Sequence, residues 1–456
     1  MGTALKVLKN ILGIPDLRRR LVFTILMLAV YRIGFHIYLP GVDIQVLKQL
    51  TEAAREEGGG LFNFIQMTSV LTGGQLNNAT VFSLGIMPYI SASIIFSLLV
   101  KVFPKLEALQ KEGEAGRKAI NRYTRYSTVA LCLVQGLFVI SFLTSSTGST
   151  DPISQKAFFL QLLQLMVLTG GTLFLMWLGE KITENGIGNG ISLLIMAGII
   201  AQMPGALIAM FGGWSTLAQD EKPFFVLKIL LLVALFLAIV AAVVFITKGQ
   251  RRIPIQQARV TRGRRTMGGS RHYMPIRVNS AGVLPLIFAQ SLLILPTGLL
   301  SFLGSDGGWA GAAVALFSPG AFWYMVLYVA MIGFFTYFWT SLYFNPTEIA
   351  NNMKEYGSFI PGIRPGRRTA DYLQQVINRV TLAGAVFLSL IALVPQIVSQ
   401  SLSVDFFISS FLGGTGILIV VGVALDLVDK IESQLLVRHY EGFAKSPANE
   451  KAGSSS

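Results

Sequence analysis

Long uninterrupted apolar stretches restrict what this chain can fold into. Ten of them run about 18–25 residues, enough for a helix to cross the hydrocarbon core of a bilayer. They lie near 21–39, 79–103, 124–144, 157–178, 190–210, 224–246, 280–302, 321–343, 380–399 and 409–428. Lipid offers no water to satisfy backbone N–H and C=O groups, so each stretch is expected to be helical. Composition agrees: 53% of the 456 residues are hydrophobic and 13% are charged, more apolar surface than a soluble domain of this size could hide. A shorter apolar piece, 61–72 (LFNFIQMTSVLT), cannot span and reads as a re-entrant or plugging segment buried in protein. The single cysteine, Cys132, excludes an internal disulfide.

Lys and Arg orient the spans. Counted alternately, the N-terminus, loops 2–3, 4–5, 6–7 and 8–9, and the C-terminus hold 31 of the 37. Those segments are therefore expected to face the cytoplasm, with both termini. The N-terminal MGTALKVLKNILGIPDLRRR lacks a short apolar core with a small-residue cleavage site and reads as retained rather than as a removed signal.

Ten spans divide as five plus five, and an odd number per half inverts the second half relative to the first. GIMPYI, 85–90, lies in span two, and GVLPLI, 282–287, lies in span seven, the corresponding place. Both fit G-x-x-P-x-I, as expected for an inverted repeat with a pathway between its halves. Pro88 and Pro285 each lack a backbone donor and are expected to bend their helices. Gly85 and Gly282 would allow a hinge or a close approach. The expected organisation is an N-terminal segment 1–20, a first half 21–210, a connection 211–223, a second half 224–430 and a tail 431–456.

No Asp, Glu, His or Lys falls at mid-span, where ion-coupled transporters keep one. Gln135, Gln161, Gln164 and Gln290 supply the mid-span polarity and read as interhelical hydrogen-bonding groups. There is no phosphate-binding loop and no metal-ligand pattern, so no cofactor and no enzyme activity are expected. What remains is an apolar-lined pore, where bulky aliphatics block ions by dewetting yet yield to a large passing object.

Loop 6–7, within 247–278, carries nine Lys/Arg and no Asp or Glu. RRIPIQQARV alternates like a strand, GRR reads as a tip, and HYMPIRV could return as the second strand. Such a basic hairpin suits RNA phosphate or an acidic protein face; far fewer charges would fix topology. In loop 8–9, within 344–379, PGIRPG frames Ile363 and Arg364 between two Pro-Gly turns, which would hold the arginine on a stiff tip. ITENGIGNGIS, 182–192, reads as a tight helix–helix turn with Asn189 as an N-cap.

LGIMPYISASI, KEGEAGRKAINRYTRY, ITENGIGNGIS, VNSAGVLPLIFAQS, NPTEIANNMKEYGSFIPGIRPG and GGTGILIVVGVALD, long and in order, resemble the SecY family of bacterial protein-translocase channel subunits from about residue 15 to 440. The resemblance implies an all-α polytopic membrane protein, a clam-shell of two inverted five-helix halves with ten transmembrane helices and a short plug helix near 61–75 that holds Phe62, Phe64, Ile65 and Met67. It implies a pore ring of Ile86, Ile90, Ile195, Ile199, Ile287 and Ile419. The pairs Ile86/Ile90 and Ile195/Ile199 are spaced i, i+4, on one helix face. It implies a lateral gate at spans two and seven with Pro88, Asn279 and Pro285. Where many members carry Gln in span two, Phe96-Ser97 stands here, which points to a gate held more by apolar packing than by a hydrogen bond to Asn279.

The resemblance further implies docking of the SecA motor or the ribosome through Arg364, Arg264 and Arg265. The implied partners are SecE and SecG membrane subunits, signal peptides, nascent chains and lipid, in the bacterial cytoplasmic (inner) membrane. A small-molecule secondary transporter is the alternative class, since it too uses inverted repeats.

Overall fold

A computed structural model of the chain describes residues 14–42, 79–145, 158–212, 222–257, 260–262, 265–267, 271–290, 292–293, 321–402, 409 and 414–444. These fall into two compact units, one within Met1–Gln202 and Val423–Ser456, the other within Met203–Gly422.

The first unit contains α1 (Pro15–Gly34), α2 (Met87–Val102), α3 (Pro104–Lys111), α4 (Glu114–Ser145), α5 (Phe158–Asn185) and most of α6 (Gly190–Gly212). It also takes the distal part of the last helix, α11 (Thr415–Ala444). Helix α1 opens on Pro15 and Asp16, a residue that needs no N–H and a charge that suits the positive helix end. The turn between α5 and α6 is built as its sequence reads: Asn189 Oδ1 accepts from Ile191 N at 3.1 Å and from Ser192 N at 3.4 Å. Ile187 of that turn is buried among Leu17, Leu21, Leu427 and Ile431, which ties the turn to α1 and α11.

The second unit holds α7 (Lys222–Lys248), strands β1 (Gln250–Gln257), β2 (Val260–Arg262), β3 (Arg265–Met267) and β4 (Arg271–Arg277), and a helical segment over 284–290. It continues with α8 (Phe322–Tyr343), α9 (Pro346–Glu355), β5 (Ser358–Phe359) and α10 (Arg367–Leu402). Among the described residues, five helices are long and apolar enough to cross a membrane. A sixth candidate is the pair α2–α3, bent by 100° at its break. The expected spans near 21–39, 124–144 and 409–428 fall on the helices α1, α4 and α11. The expected plug, with Phe62, Phe64, Ile65 and Met67, lies outside the described residues.

The structure corrects the proposed role of the two prolines. Residues 79–86, expected to be helical, form turns, and α2 starts at Met87 with Pro88 in its first turn. Gly85 has φ +56° and Gly282 φ +65°, values that end or precede a helix rather than continue it. A proline deep in a helix would clash with the carbonyl four residues back, whereas in the first turn its missing N–H costs nothing. In the second unit the helical segment starts at residue 284, so Pro285 also occupies a first turn. Both motifs are helix starts; neither proline bends a helix.

The basic hairpin forms as its alternation predicts. β1 and β4 pair antiparallel from Gln250 opposite Arg277 to Gln256 opposite Arg271. β2 and β3 pair beyond them, with Arg262 opposite Arg265. What the sequence did not reveal is β5, which adds to β1 with Gln256 opposite Phe359 and makes a three-stranded sheet in the order β4-β1-β5. The sheet covers a core of Ile253, Ile276, Met353, Ile360, Leu373 and Ile377. Among the described residues, strands are confined to this region, a local exception to the all-α expectation.

Ile253→Ala should loosen this core at a cost of about 2–4 kcal/mol, while Ile255→Ala, half-buried at the core's edge, should cost about half as much. Trypsin cleavage at Arg251, Arg252 and Arg271 in membranes checks this: it should accelerate strongly in the first variant and weakly in the second.

Candidate functional site

In the first unit the segment before α2 runs through protein. Leu39 N donates to Ala79 O at 2.9 Å and Val81 N to Ile37 O at 3.0 Å, a short antiparallel bridge centred on Tyr38 and Thr80. Ser83 Oγ donates to Thr80 O at 2.7 Å, and Gly85 N to Phe82 O at 2.8 Å. Phe82 is the hub of an aromatic cluster: its ring meets Phe35 edge-on at 5.3 Å and stacks with Tyr31 at 6.5 Å and Phe174 at 6.0 Å. Beside it Leu39, Ala79, Leu84, Val139, Ile140, Leu165 and Leu168 form a buried cluster. The start of α2 is thus anchored to α1, α4 and α5.

The candidate ring residues of this unit sit on two helices. Ile86 is the buried N-cap residue of α2, and Ile90 N donates to Ile86 O at 3.0 Å, so the two share a face. Ile195 and Ile199 lie one turn apart on α6, the first half-buried and the second buried.

In the second unit Ile287 is buried, with its N–H donating to Val283 O at 3.4 Å, and Ile419 is buried on α11. Phe288 packs on Phe335 and Trp339 of α8, at 5.5 and 5.0 Å between ring centres. Thr415 Oγ1 donates to Gln290 Oε1 at 3.5 Å, and in the first unit Gln164 Nε2 donates to Pro40 O at 3.0 Å. Both glutamines therefore tie segments together, as their mid-span positions suggested. Asn279 Oδ1 is buried with no hydrogen-bond partner among the described residues. At the departure in span two, Ser97 Oγ donates within its own helix to Ser93 O at 2.7 Å, and Phe96 stacks on Tyr123 of α4 at 6.4 Å.

The basic loops form a rigid base for Arg364. Gly362 and Gly366 have φ +83° and +102°, which lets the chain turn sharply on both sides of the arginine. Ile363 packs against the hydrophobic core beneath the sheet, Ile363 N donates to Ile360 O at 3.1 Å, and buried Thr369 donates its hydroxyl to Arg364 O at 3.0 Å. The Arg364 side chain is exposed. Arg265 opens β3; Arg264 falls outside the described residues. Among the described residues no cluster of His, Cys, Asp or Glu could hold a metal ion.

The architecture matches solved channels across nearly the whole chain. One, described as the structure of a protein conducting channel, superposes with a TM-score of 0.62 at 19% identity, covering 94% of this chain and 95% of that one. Sec61 in the canine ribosome-channel complex from the endoplasmic reticulum superposes with a TM-score of 0.58 at 17% identity, with the same coverage. The fold is therefore that of the SecY/Sec61 protein-conducting channels. The SecY family profile matches residues 80–428, and the protein translocase subunit SecY of Streptomyces scabiei is 44% identical over 441 residues, 94% of this chain and 98% of that protein. The chain belongs to the SecY family. It is a membrane channel subunit for protein translocation, and by family it is not an enzyme.

The helix-start geometry can be tested in isolation. Among the described residues no atom beyond the chain neighbours lies within 4 Å of where a Cβ on Gly282 would point, so the expected cost there is backbone strain. Gly282→Ala should destabilise by about 1 kcal/mol, and Gly282→Asn by less, since Asn tolerates the left-handed region. Thermal unfolding in detergent should rank the parent first, Asn next and Ala last.

Proposed function

We propose that the chain is the central subunit of a passive, gated channel that translocates preproteins across, and inserts membrane proteins into, a bacterial cytoplasmic membrane. The observation that carries this beyond family membership is the repeated helix start: each unit builds left-handed Gly, first-turn Pro and an Ile near the helix start. Ten spans in two inverted halves, with both termini in the cytoplasm, follow from hydropathy and charge. Pro88, Pro285 and Asn279 would mark a lateral gate along spans two and seven. Ile86, Ile90, Ile195, Ile199, Ile287 and Ile419 would form one aliphatic constriction, sealed by dewetting at rest and pressed around a chain in transit. The segment near 61–75 would plug it. Phe96, stacked on Tyr123 of α4, and Ser97, bonded within α2, support a gate closed mainly by apolar contact.

The sheet-backed basic loops would receive the partner that drives transport, the SecA motor or a ribosome, with exposed Arg364, and Arg264 and Arg265 of the hairpin, as its contacts. The solved ribosome-channel complex of the Sec61 relative supports the ribosome as one such partner. SecE and SecG would complete the membrane complex, and signal peptides would enter at the gate.

Proteoliposomes holding this chain with SecE, plus SecA and ATP, provide the test. Import of a signal-bearing preprotein is expected; uptake of a small solute without preprotein import would favour a secondary transporter. In the same vesicles, Ile86→Asn with Ile287→Asn should wet the constriction and raise resting ion leak about tenfold or more; unchanged conductance would remove both from the ring. Arg364→Glu should reduce import at least tenfold through loss of docking with undiminished insertion of the channel itself, since many other charges orient it; normal import would remove Arg364 from the docking rim.

A further inference from the structure

Arg125 of α4 and Glu180 of α5 form a two-pronged ion pair. Arg125 Nε donates to Glu180 Oε1 at 3.2 Å and Nη2 to Glu180 Oε2 at 2.6 Å. The pair is not a helix-surface ornament. Glu107–Lys111 and Lys181–Glu184 each join one turn of a single helix, whereas Arg125–Glu180 joins two helices across 55 residues. Glu180 is three-quarters covered, with 26% of its side chain exposed, and the parallel N–H···O bonds fix orientation as well as distance. Tyr89 of α2, inside GIMPYI, is an electrostatic neighbour of both members.

The pair sits between two further ties. On one side the Phe96–Tyr123 stack joins α2 to α4. On the other, Gly190 N donates to Thr183 Oγ1 at 2.8 Å, joining the end of α5 to the start of α6. The three links run α2–α4–α5–α6 within one unit. The first and last helices of that series carry Ile86 and Ile90, and Ile195 and Ile199. Fixing the series therefore fixes the register of two helices that each supply aliphatic side chains to the proposed constriction.

We infer that Arg125 and Glu180 are positioning residues: their ion pair locks α2, α4, α5 and α6 into one leaf and so sets how strong a signal sequence must be to open the channel. This rests on the channel function proposed above. Neither side chain touches the translocating chain in this account; both act through the helices they join. Breaking the pair lets α2 shift relative to α6 and lowers the threshold for opening.

The reconstituted vesicles give the readout. The measured quantity is import of a preprotein with a disabled signal sequence divided by import of the same preprotein with an intact one. Arg125→Glu, Glu180→Arg and the milder Glu180→Gln should each raise this ratio about fivefold, the scale of a lost pairwise coupling. Arg125→Lys, which keeps the charge but loses the fork, should fall between parent and Gln variant. The charge-swapped double variant should return the ratio to within about twofold of the parent. A merely structural weakening would lower import of both substrates together and leave the ratio unmoved. Unchanged ratios in Glu180→Gln and Arg125→Lys at equal inserted amounts, or a swapped double variant no better than its singles, overturn the inference. Absence of any import by the parent chain would instead overturn the channel function on which it rests.

Discussion

Inside a bilayer, every backbone N–H or C=O that leaves a helix must find a protein partner, because lipid supplies none. That constraint shapes the segment 79–86. It is non-helical within an apolar stretch that looks like a span, and it is tolerated because Leu39, Ile37 and its own turns take up its hydrogen bonds. The partners are rigid because Phe82 is held among Tyr31, Phe35 and Phe174. Without that anchoring α2 could not begin where it does. Ile86 would then not be presented at the buried end of a helix.

The same constraint explains which features could be read from the sequence. Apolar length located the helices, since a span has one regular solution in lipid. Period-two alternation located β1 and β4, and the Asn189 cap was legible from residue type. The role of Gly85 and Pro88 was not. Hydropathy runs unbroken from Ala79 to Phe103, so nothing in it distinguishes a helix that bends from one that starts late. The clue was present in the order of the residues: a glycine followed three positions later by proline suits a left-handed turn and then a first helical turn. Strand β5 is two residues long, too short for any periodicity, and its partner is about 100 residues away. Arg125–Glu180 carries no local signature either, since its members meet only when α4 and α5 pack.

The basic loops show a division of labour that composition alone conceals. Their charges read as a coat, but beneath them lies a small soluble-like core. Ile253 and Ile276 point from the hairpin onto Met353, Ile360, Leu373 and Ile377, each such side chain contributing on the order of 1.5–3 kcal/mol when fully buried. That core preorganises the arginines. A partner of the proposed kind would not have to order β1, β4 and β5 first, and the entropy of ordering is a large part of what weakens such contacts. The framing of Arg364 by Gly362 and Gly366, with Ile363 sunk into the core and Thr369 holding the Arg364 carbonyl, extends the same logic to a single side chain.

The two helix starts then have a common physical meaning. A helix that begins inside an apolar region ends its hydrogen-bond ladder there, leaving its first N–H groups to be satisfied by the turn before it. Placing proline in the first turn removes one such donor, and placing glycine ahead of it permits the turn that satisfies others. A short helix with a clean start can move as a unit against whatever it contacts, because its end is not a continuation of backbone that must break. A kinked long helix would have to strain its ladder to do the same. Repetition of this start in span two and in span seven thus lets two helices begin inside an apolar region with their first turns satisfied, each with a buried isoleucine near its start that asks for no side-chain hydrogen bond.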